Sequence, residues 1–423
     1  MPSGRLVIQG KRPLSGSVKV SGSKNAADSA LAACLLTGEE CVLENVPDIE
    51  DVRMMGSILS FLGADVRNEG KGRWRVRADK IGRYDAPSEI VAKQRASFQV
   101  MGPLLARFGE AAACSPGGDV IGSRPLDVHL AGFRALGAKL SRRGEKYVAE
   151  SPLEGHRLKA TRVFLDYPSV TGTMNIIFAA VTAEGTSTII NAAVEPEIVN
   201  VISMLNAMGA KIRGSGQSIL EVEGVDELHG VRHEVIPDRL ETGTFMIAAA
   251  ISRGEAIIEN VEPMHLDAMI AKLTDAGVEV EVRGDRLRVC GEGRTFKGVQ
   301  AQALPYPGLA TDLQPYLASF LTQAQGVSVI HERVYENRLL YIGELRKMGA
   351  DVITAGSTAI ITGPTELYGS LVRELDARAG GALVLAGLAA EGQTEITDVY
   401  HLDRAHEDLV GKLRSLGAVI ERV

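Results

Sequence analysis

FLGADV at residues 61–66 decides the reading of this chain, because the phrase returns five more times. ALGAKL stands at 135–140, AMGAKI at 207–212, DAGVEV at 275–280, KMGADV at 347–352 and SLGAVI at 415–420. Its glycines fall at 63, 137, 209, 277, 349 and 417, with spacings of 74, 72, 68, 72 and 68 residues. A second set, Gly38, Gly109, Gly185, Gly254, Gly326 and Gly392, keeps the same beat behind Ala/Leu-rich runs. A fixed period marks a repeated structural unit, so the chain reads as six units of about seventy residues.

Each unit reads alike. Val52, Met55, Ile58, Leu59 and Leu62 recur at the spacing of one helix face. Gly63 follows where a left-handed C-terminal cap is wanted, and Ala64-Asp65-Val66-Arg67 alternates as a short strand does. Leu409, Val410, Leu413, Leu416 and Gly417 repeat the pattern. The runs Leu31–Leu36, Ile247–Ile251 and Leu383–Ala390 are apolar nearly all round and predict fully buried helices. One buried helix, one amphipathic helix and several strands per unit make the chain α/β (α+β). Six such units form one ring or two sets of three. A break near 230–237 leaves three on each side, which predicts domains at 23–234, carrying a mobile loop at 114–125, and at 1–22 plus 235–423. The first strand, Leu6–Gln9, is expected to cross back and complete the second half.

Composition narrows the function. The 423 residues carry 46 Lys+Arg against 53 Asp+Glu, a net charge of -7, without the basic surplus of a general nucleic-acid binder. Aromatics are only 4%, which leaves no base-stacking platform. The longest apolar stretch, Gly380–Ala390, is about half of the ~20 residues a membrane span needs. The opening MPSGRLVIQGKRPL lacks the apolar core of a secretion signal. Cys34, Cys41, Cys114 and Cys290 show neither paired nor zinc-like spacing, which fits a reducing cytoplasm. GxxxxGK[ST], HExxH, GxSxG and CxxC are absent. His401 and His406, five apart, do not share a helical face and read as hydrogen-bonded or solvated histidines rather than metal ligands.

The segments that break the repeat carry the chemistry. Small residues in Ser21-Gly22-Ser23-Lys24-Asn25-Ala26-Ala27 leave backbone N–H groups open ahead of a helix, with a lysine suited to an anion. Residues 114–125, with three glycines and two prolines, cannot be helical and read as a loop carrying Asp119 and Arg124. Such loops often close over a substrate. Asp312 in PGLATDLQP, the run 335–338, Asp376-Ala377-Arg378 and the run 400–404 complete the set. Taken singly, each arginine reads as a surface charge. Taken together, Lys24, Arg95, Arg124, Arg338, Arg378 and Arg404 are candidates for a cage around a polyanion, because guanidinium forks match carboxylate and phosphate.

SGSKNAA at 21–27, QRASF at 94–98, LLARFG at 104–109, PGGDVIGSRPLDVHL at 116–130, EPEIV at 195–199, PDRLETGTF at 237–245, TDLQ at 311–314, ENR at 336–338 and YHLDR at 400–404 carry a resemblance. Essentially end to end, the chain resembles the UDP-N-acetylglucosamine 1-carboxyvinyltransferase (MurA) family of enolpyruvyl transferases. That likeness implies a cytoplasmic enzyme of two inside-out α/β barrel domains, each of three pseudo-repeated βα units, facing each other across a cleft. It implies transfer of the enolpyruvyl group of phosphoenolpyruvate to the 3′-hydroxyl of UDP-N-acetylglucosamine with release of phosphate, the first committed step of peptidoglycan synthesis. Neither metal nor cofactor is implied, and the partners are those two small molecules, with no nucleic acid and no membrane.

By the same resemblance, Lys24 and Asn25 match a phosphoenolpyruvate-binding pair, and Arg124 and Arg404 the arginines on its phosphate and carboxylate. Arg95 matches a position near the nucleotide sugar. Arg124, Pro125, Leu126, Asp127 and Val128 match one strip for the uridine diphosphate, and Tyr167, Pro168, Ser169 and Val170 a second. Asp312 matches the acid beside the reacting hydroxyl and Val334 a sugar contact, while Arg338 and Arg378 remain candidates from the charge reading. Two departures stand out. Asp119 occupies a position that is cysteine in many members and aspartate in some; its implied role is proton donor to C3. An aspartate cannot form the thioether that fosfomycin makes with the cysteine, so resistance is expected. Tyr167 stands where some members have lysine, which removes one phosphate contact. Closure on nucleotide-sugar binding is expected, with hinges near 21–24 and 230–237. Readings left open are another acceptor (shikimate 3-phosphate or a different uridine nucleotide) and an inactive binding paralogue.

Overall fold

Each of the six repeat glycines closes a helix. Gly63 follows the helix Glu50–Leu62 with φ 115°, and the Ala64 N–H reaches back to the Leu59 carbonyl at 3.0 Å. The same backward bond recurs from Ala138, Ala210, Val278, Ala350 and Ala418, each following a repeat glycine of positive φ. It satisfies carbonyls that the helix end leaves open. At Gly63 the requirement is doubly strict, since a Cβ would lie 2.5 Å from the Lys80 carbonyl oxygen. The glycine turns the chain sharply out of the helix and into a strand, so the repeat in sequence becomes a repeat in space.

A computed structural model describes residues 4–152 and 157–423. They form two compact units. Unit one holds the N-terminal residues through Ser21, Asp119–Ser123 and Pro237–Val423; unit two holds Gly22–Gly118 and Arg124–Ile236. Among the described residues each unit has three sheets. Five of the six sheets share one order. In Arg162–Phe164, Thr186–Ile190, Ile219–Glu223 and Lys211–Arg213, the first strand is parallel to the second, and the other pairings are antiparallel. The exception has three strands, Glu110–Cys114, Lys146–Glu150 and Lys139–Arg143, with a single parallel bridge between Asp85 and Ala112 in place of the parallel edge. The last sheet borrows its third strand from the start of the chain: Leu6–Gln9 lies antiparallel between Gln393–Thr397 and Val419–Arg422. Ser15–Lys19 likewise pairs parallel with Glu255–Glu259.

Inside each unit lie the helices predicted from the apolar runs. Unit two buries Lys24–Ala33, Met101–Phe108 and Val170–Ala180; unit one buries Arg239–Ile251, Gln314–Leu321 and Ala377–Ala389. Each set belongs to its own hydrophobic core. Every residue of Ala377–Ala389 is buried, which a helix apolar on all sides requires. Sheets therefore lie outside and helices inside, the inverse of an ordinary barrel. Among the described residues no helix is long and apolar enough to cross a membrane.

Candidate active site

The polar residues of interest gather where a peripheral strand hands over to a buried helix. Ser23, Ser169, Asp238 and Asp376 are the N-caps of four of the six core helices, and each accepts a backbone N–H through its side chain. Arg95 opens the short 3-10 helix Arg95–Val100 that runs into Met101–Phe108, and Asp312 stands two residues ahead of Gln314–Leu321. Helix starts carry unpaired N–H groups and a partial positive charge. The repeat thus presents six equivalent positions predisposed to hold anions, and sequence differences at those positions set what each one does.

In unit one the position is dominated by buried charge. The Asp312 carboxylate accepts from Arg338 Nη2 at 2.9 Å and from Arg378 Nε at 3.0 Å, and the two guanidinium side chains are only 1% and 5% exposed. Burial opposes the charge on Arg378, but Tyr316, Asp312 and Asp238 outweigh it and hold its pKa above the usual value. Arg338 is raised in the same sense by Asp312 and Asp376 against its burial. Glu332, itself buried, receives Thr311 Oγ1 at 2.8 Å and the Val334 N–H at 2.7 Å, which ties the turn carrying Val334 to the residue beside Asp312.

The loop tip Asp119–Ser123 belongs to the same unit. Asp119 Oδ1 lies 3.1 Å from Arg404 Nη1 and 3.4 Å from His401 Nδ1, while Arg404 Nη1 lies 3.2 Å from that same His401 nitrogen. The Ser123 N–H reaches Glu336 at 3.1 Å, and the Asn337 N–H reaches the Ile121 carbonyl at 3.0 Å. Gly122 must be glycine here, because a Cβ would fall 2.1 Å from Glu336 Oε2 and φ is 147°. Behind this group Glu374 accepts the His401 N–H at 3.0 Å. Burial pushes the Glu374 carboxyl up to about 9, although that N–H bond favours its ionised form; Asp376, Asp119 and Asp403 add to the rise.

Unit two is built differently. Lys24 opens its helix and pairs with the buried Asp51 at 2.5 Å. Asn25 sits in the first turn, where its carbonyl accepts from Ser29. Arg95 donates to the Pro125 carbonyl at 2.7 Å, which fixes the strip that begins at Arg124. Leu126 precedes the helix Asp127–Ala135; the Asp127 carboxylate accepts the Val128 N–H and the Tyr167 hydroxyl, both at 2.8 Å. The Ser169 N–H bonds the Tyr167 carbonyl, with Pro168 between them and Val170 opening the next helix. Both strips expected for a diphosphate are therefore joined through Asp127 and Tyr167 at two neighbouring helix starts. His129 lies beneath them, contacting Thr171 and Asn175; burial, and then Arg95, push its pKa down to about 3, so it is neutral at pH 7.

Several partners escaped the sequence reading. Asp51, Glu332 and Glu374 each sit more than 20 residues from Lys24, Thr311 and His401, the residues they hold, and belong to no motif. Asp238 was legible in principle: placing the start of each buried run on the seventy-residue beat leads to it. Cys114 is buried with its thiol pushed up by burial, and all four cysteines are buried free thiols. Among the described residues no cluster of three or more His, Cys, Asp or Glu is arranged to hold a metal ion.

The chain matches known proteins over nearly its whole length. The family described as EPSP synthase (3-phosphoshikimate 1-carboxyvinyltransferase) matches residues 8–413. UDP-N-acetylglucosamine 1-carboxyvinyltransferase 2 of Carboxydothermus hydrogenoformans is 48% identical over 421 residues, covering 99% of both chains. The chain belongs to this enolpyruvyl transferase family. UDP-N-acetylglucosamine 1-carboxyvinyltransferase 1 of Caldanaerobacter subterraneus is 46% identical, again over 99% of both. Among solved structures, the enolpyruvyl transferase NikO from Streptomyces tendae superposes with a TM-score of 0.90 at 25% identity, over 100% of this chain and 99% of that one. EPSP synthase from Acinetobacter baumannii, at 19% identity and TM-score 0.77 over the whole of both chains, shares the fold.

Proposed function

We propose that this protein transfers the enolpyruvyl group of phosphoenolpyruvate to the 3′-hydroxyl of UDP-N-acetylglucosamine, releasing phosphate, as the first committed step of peptidoglycan synthesis in the cytoplasm. The observation that carries this reading is near-full-length identity of 46% and 48% to relatives bearing that name, in a chain that keeps a full set of charged residues at its helix starts. In this reading Lys24, Asn25, Arg124 and Arg404 bind phosphoenolpyruvate. Arg95, the strips 124–128 and 167–170, and Val334 serve the nucleotide sugar. Backbone N–H groups at the starts of Asp127–Ala135 and Val170–Ala180 suit its diphosphate.

The chemistry needs two carboxyls in opposite protonation states. Asp119 gives a proton to C3, which leaves C2 electrophilic. The 3′-hydroxyl attacks C2 as its proton passes to Asp312. The tetrahedral adduct then loses a C3 proton, the C2–O bond to phosphate breaks, and the enol ether forms. Asp312 is aimed by Arg338 and Arg378, and Arg378 is in turn fixed by Asp376 and Tyr316. Cationic side chains supply the electrostatic stabilisation of the adduct.

Phosphate release measured with phosphoenolpyruvate and either UDP-N-acetylglucosamine or shikimate 3-phosphate tests the acceptor. Turnover with the nucleotide sugar alone is expected. Turnover with shikimate 3-phosphate alone would move the chain to the other acceptor class, and none with either would leave a binding paralogue.

A further inference from the structure

An aspartate that must donate a proton at neutral pH faces a difficulty. Its ordinary pKa is about 3.9, and here an arginine, Arg404, lies 3.1 Å from its carboxylate, favouring the charged form further. Something must deliver the proton. His401 is placed to do so, with Nδ1 at 3.4 Å from Asp119 Oδ1. Histidine is the side chain suited to relaying a proton between neighbouring groups.

We propose that His401 is the proton source for Asp119 and that Arg404 gates the transfer; this rests on the reading above in which Asp119 protonates C3. With Arg404 Nη1 3.2 Å from His401 Nδ1, that nitrogen accepts from a group that can only donate, so it carries no proton in this arrangement. The anionic substrate competes for Arg404. Once Arg404 turns to the substrate, His401 Nδ1, on a side chain that is 31% exposed, takes up a proton from solvent and donates it toward the Asp119 carboxylate. The imidazolium N–H bond then breaks as the Asp119 O–H bond forms, leaving neutral imidazole and neutral acid. The acid passes that proton to C3, and the proton that C3 later loses restores the pair.

The surroundings of His401 fit this role. Its backbone N–H is held by Glu374, a carboxyl that burial keeps protonated at neutral pH and that therefore adds no charge. The Tyr400 ring packs edge-on at 5.7 Å between centroids. Asp403 on the same helix is engaged by Arg422 through two bonds, and Asp376 caps the neighbouring core helix. Asp119 and Arg404 are charged groups that lie directly against the imidazole.

A double comparison tests the inference. A cysteine thiol, with an ordinary pKa of about 8.5, already holds its proton at pH 7. His401→Asn should lower kcat at saturating substrates more than ~10-fold in the natural enzyme, with both KM values moving less, but under about twofold in an Asp119→Cys background. The natural enzyme's alkaline decline in kcat should also shift to lower pH in His401→Asn. His401→Gln serves as the second variant should Asn not fold. Equal losses in both backgrounds, or an unchanged pH profile with kcat retained, would overturn the proposal and assign His401 a structural part. Full activity of Asp119→Asn would instead remove the acid reading on which the proposal stands, and so separates the two failures.

Discussion

The two units solve the same geometric problem with different chemistry. Both present polar residues at the starts of three buried helices. Unit one concentrates charge: part-exposed Asp312 accepts from the buried Arg338 and Arg378, and part-exposed Asp119 pairs with the buried Arg404 beside His401. Unit two combines backbone helix ends with Lys24 paired to Asp51, Arg95 bonded to the Pro125 carbonyl, Arg124, and an uncharged contact from Tyr167. A buried ion cluster is rigid and strongly polarising but costly to leave incomplete. Helix ends bind an extended anion with little side-chain ordering. The first arrangement suits aiming a carboxylate, and the second suits holding an extended anion.

The largest effect that would break this contrast lies in unit one. Asp119→Asn should lower kcat by ~10²–10⁴-fold, as removal of a positioned acid does, with little change in melting temperature; kcat near the natural value would remove the acid from the mechanism. The same residue is expected to set the response to fosfomycin: the natural protein should keep full activity after incubation with it, and Asp119→Cys should be inactivated with a mass increase of one inhibitor per chain.

Stability should separate the units next. Asp312→Ala leaves two buried guanidiniums without their shared carboxylate and should cost about 3–5 kcal/mol in urea unfolding. Asp51→Ala leaves Lys24, whose side chain is 18% exposed and can turn to water, so about 1–2 kcal/mol is expected. Equal losses would erase the distinction between buried cluster and helix-end site.

Glu374 sharpens the comparison through pH. Its folded pKa, pushed up to about 9, lies above that of an unfolded glutamate near about 4.3. Between those values the folded state keeps a proton that the unfolded chain releases, so this group's contribution falls as pH rises and levels off above about 9. Glu374→Gln removes that dependence. The variant should gain on the natural protein steadily from pH 5 to 9, by several kcal/mol in all at about 1.4 kcal/mol per pH unit. Parallel stability curves would show that the carboxyl is ionised.

The smallest expected effect tests the repeat itself. Gly63→Ala meets both a left-handed backbone and the Lys80 carbonyl and should cost more than about 2 kcal/mol. Gly417, with φ 94° but no atom within 4 Å of a Cβ, should tolerate alanine for roughly 1 kcal/mol.

Much of this was legible before any coordinates. The glycine period named the helix ends, the all-apolar runs named the buried helices, and Lys24, Asp119, Asp312, Arg378 and Arg404 stood out because they interrupt the repeat. Charge type, however, does not reveal pairing. Arg338 and Arg378 look in sequence like two more arms of an anion cage, yet both are engaged by Asp312. Tyr167 looks in sequence like a lost phosphate contact, and nothing there announces that its hydroxyl holds Asp127.

Taken alone, the order of residues determined the local structure: where helices stop, which faces are apolar, and that six like units exist. Those properties depend on neighbours within one or two turns, where backbone sterics and hydrophobic spacing act. Only the tertiary structure decided which charges meet, that the expected crossing of Leu6–Gln9 seats it between Gln393–Thr397 and Val419–Arg422, and that burial raises Glu374. Those outcomes depend on burial and on distances through space, which chain order does not encode pair by pair.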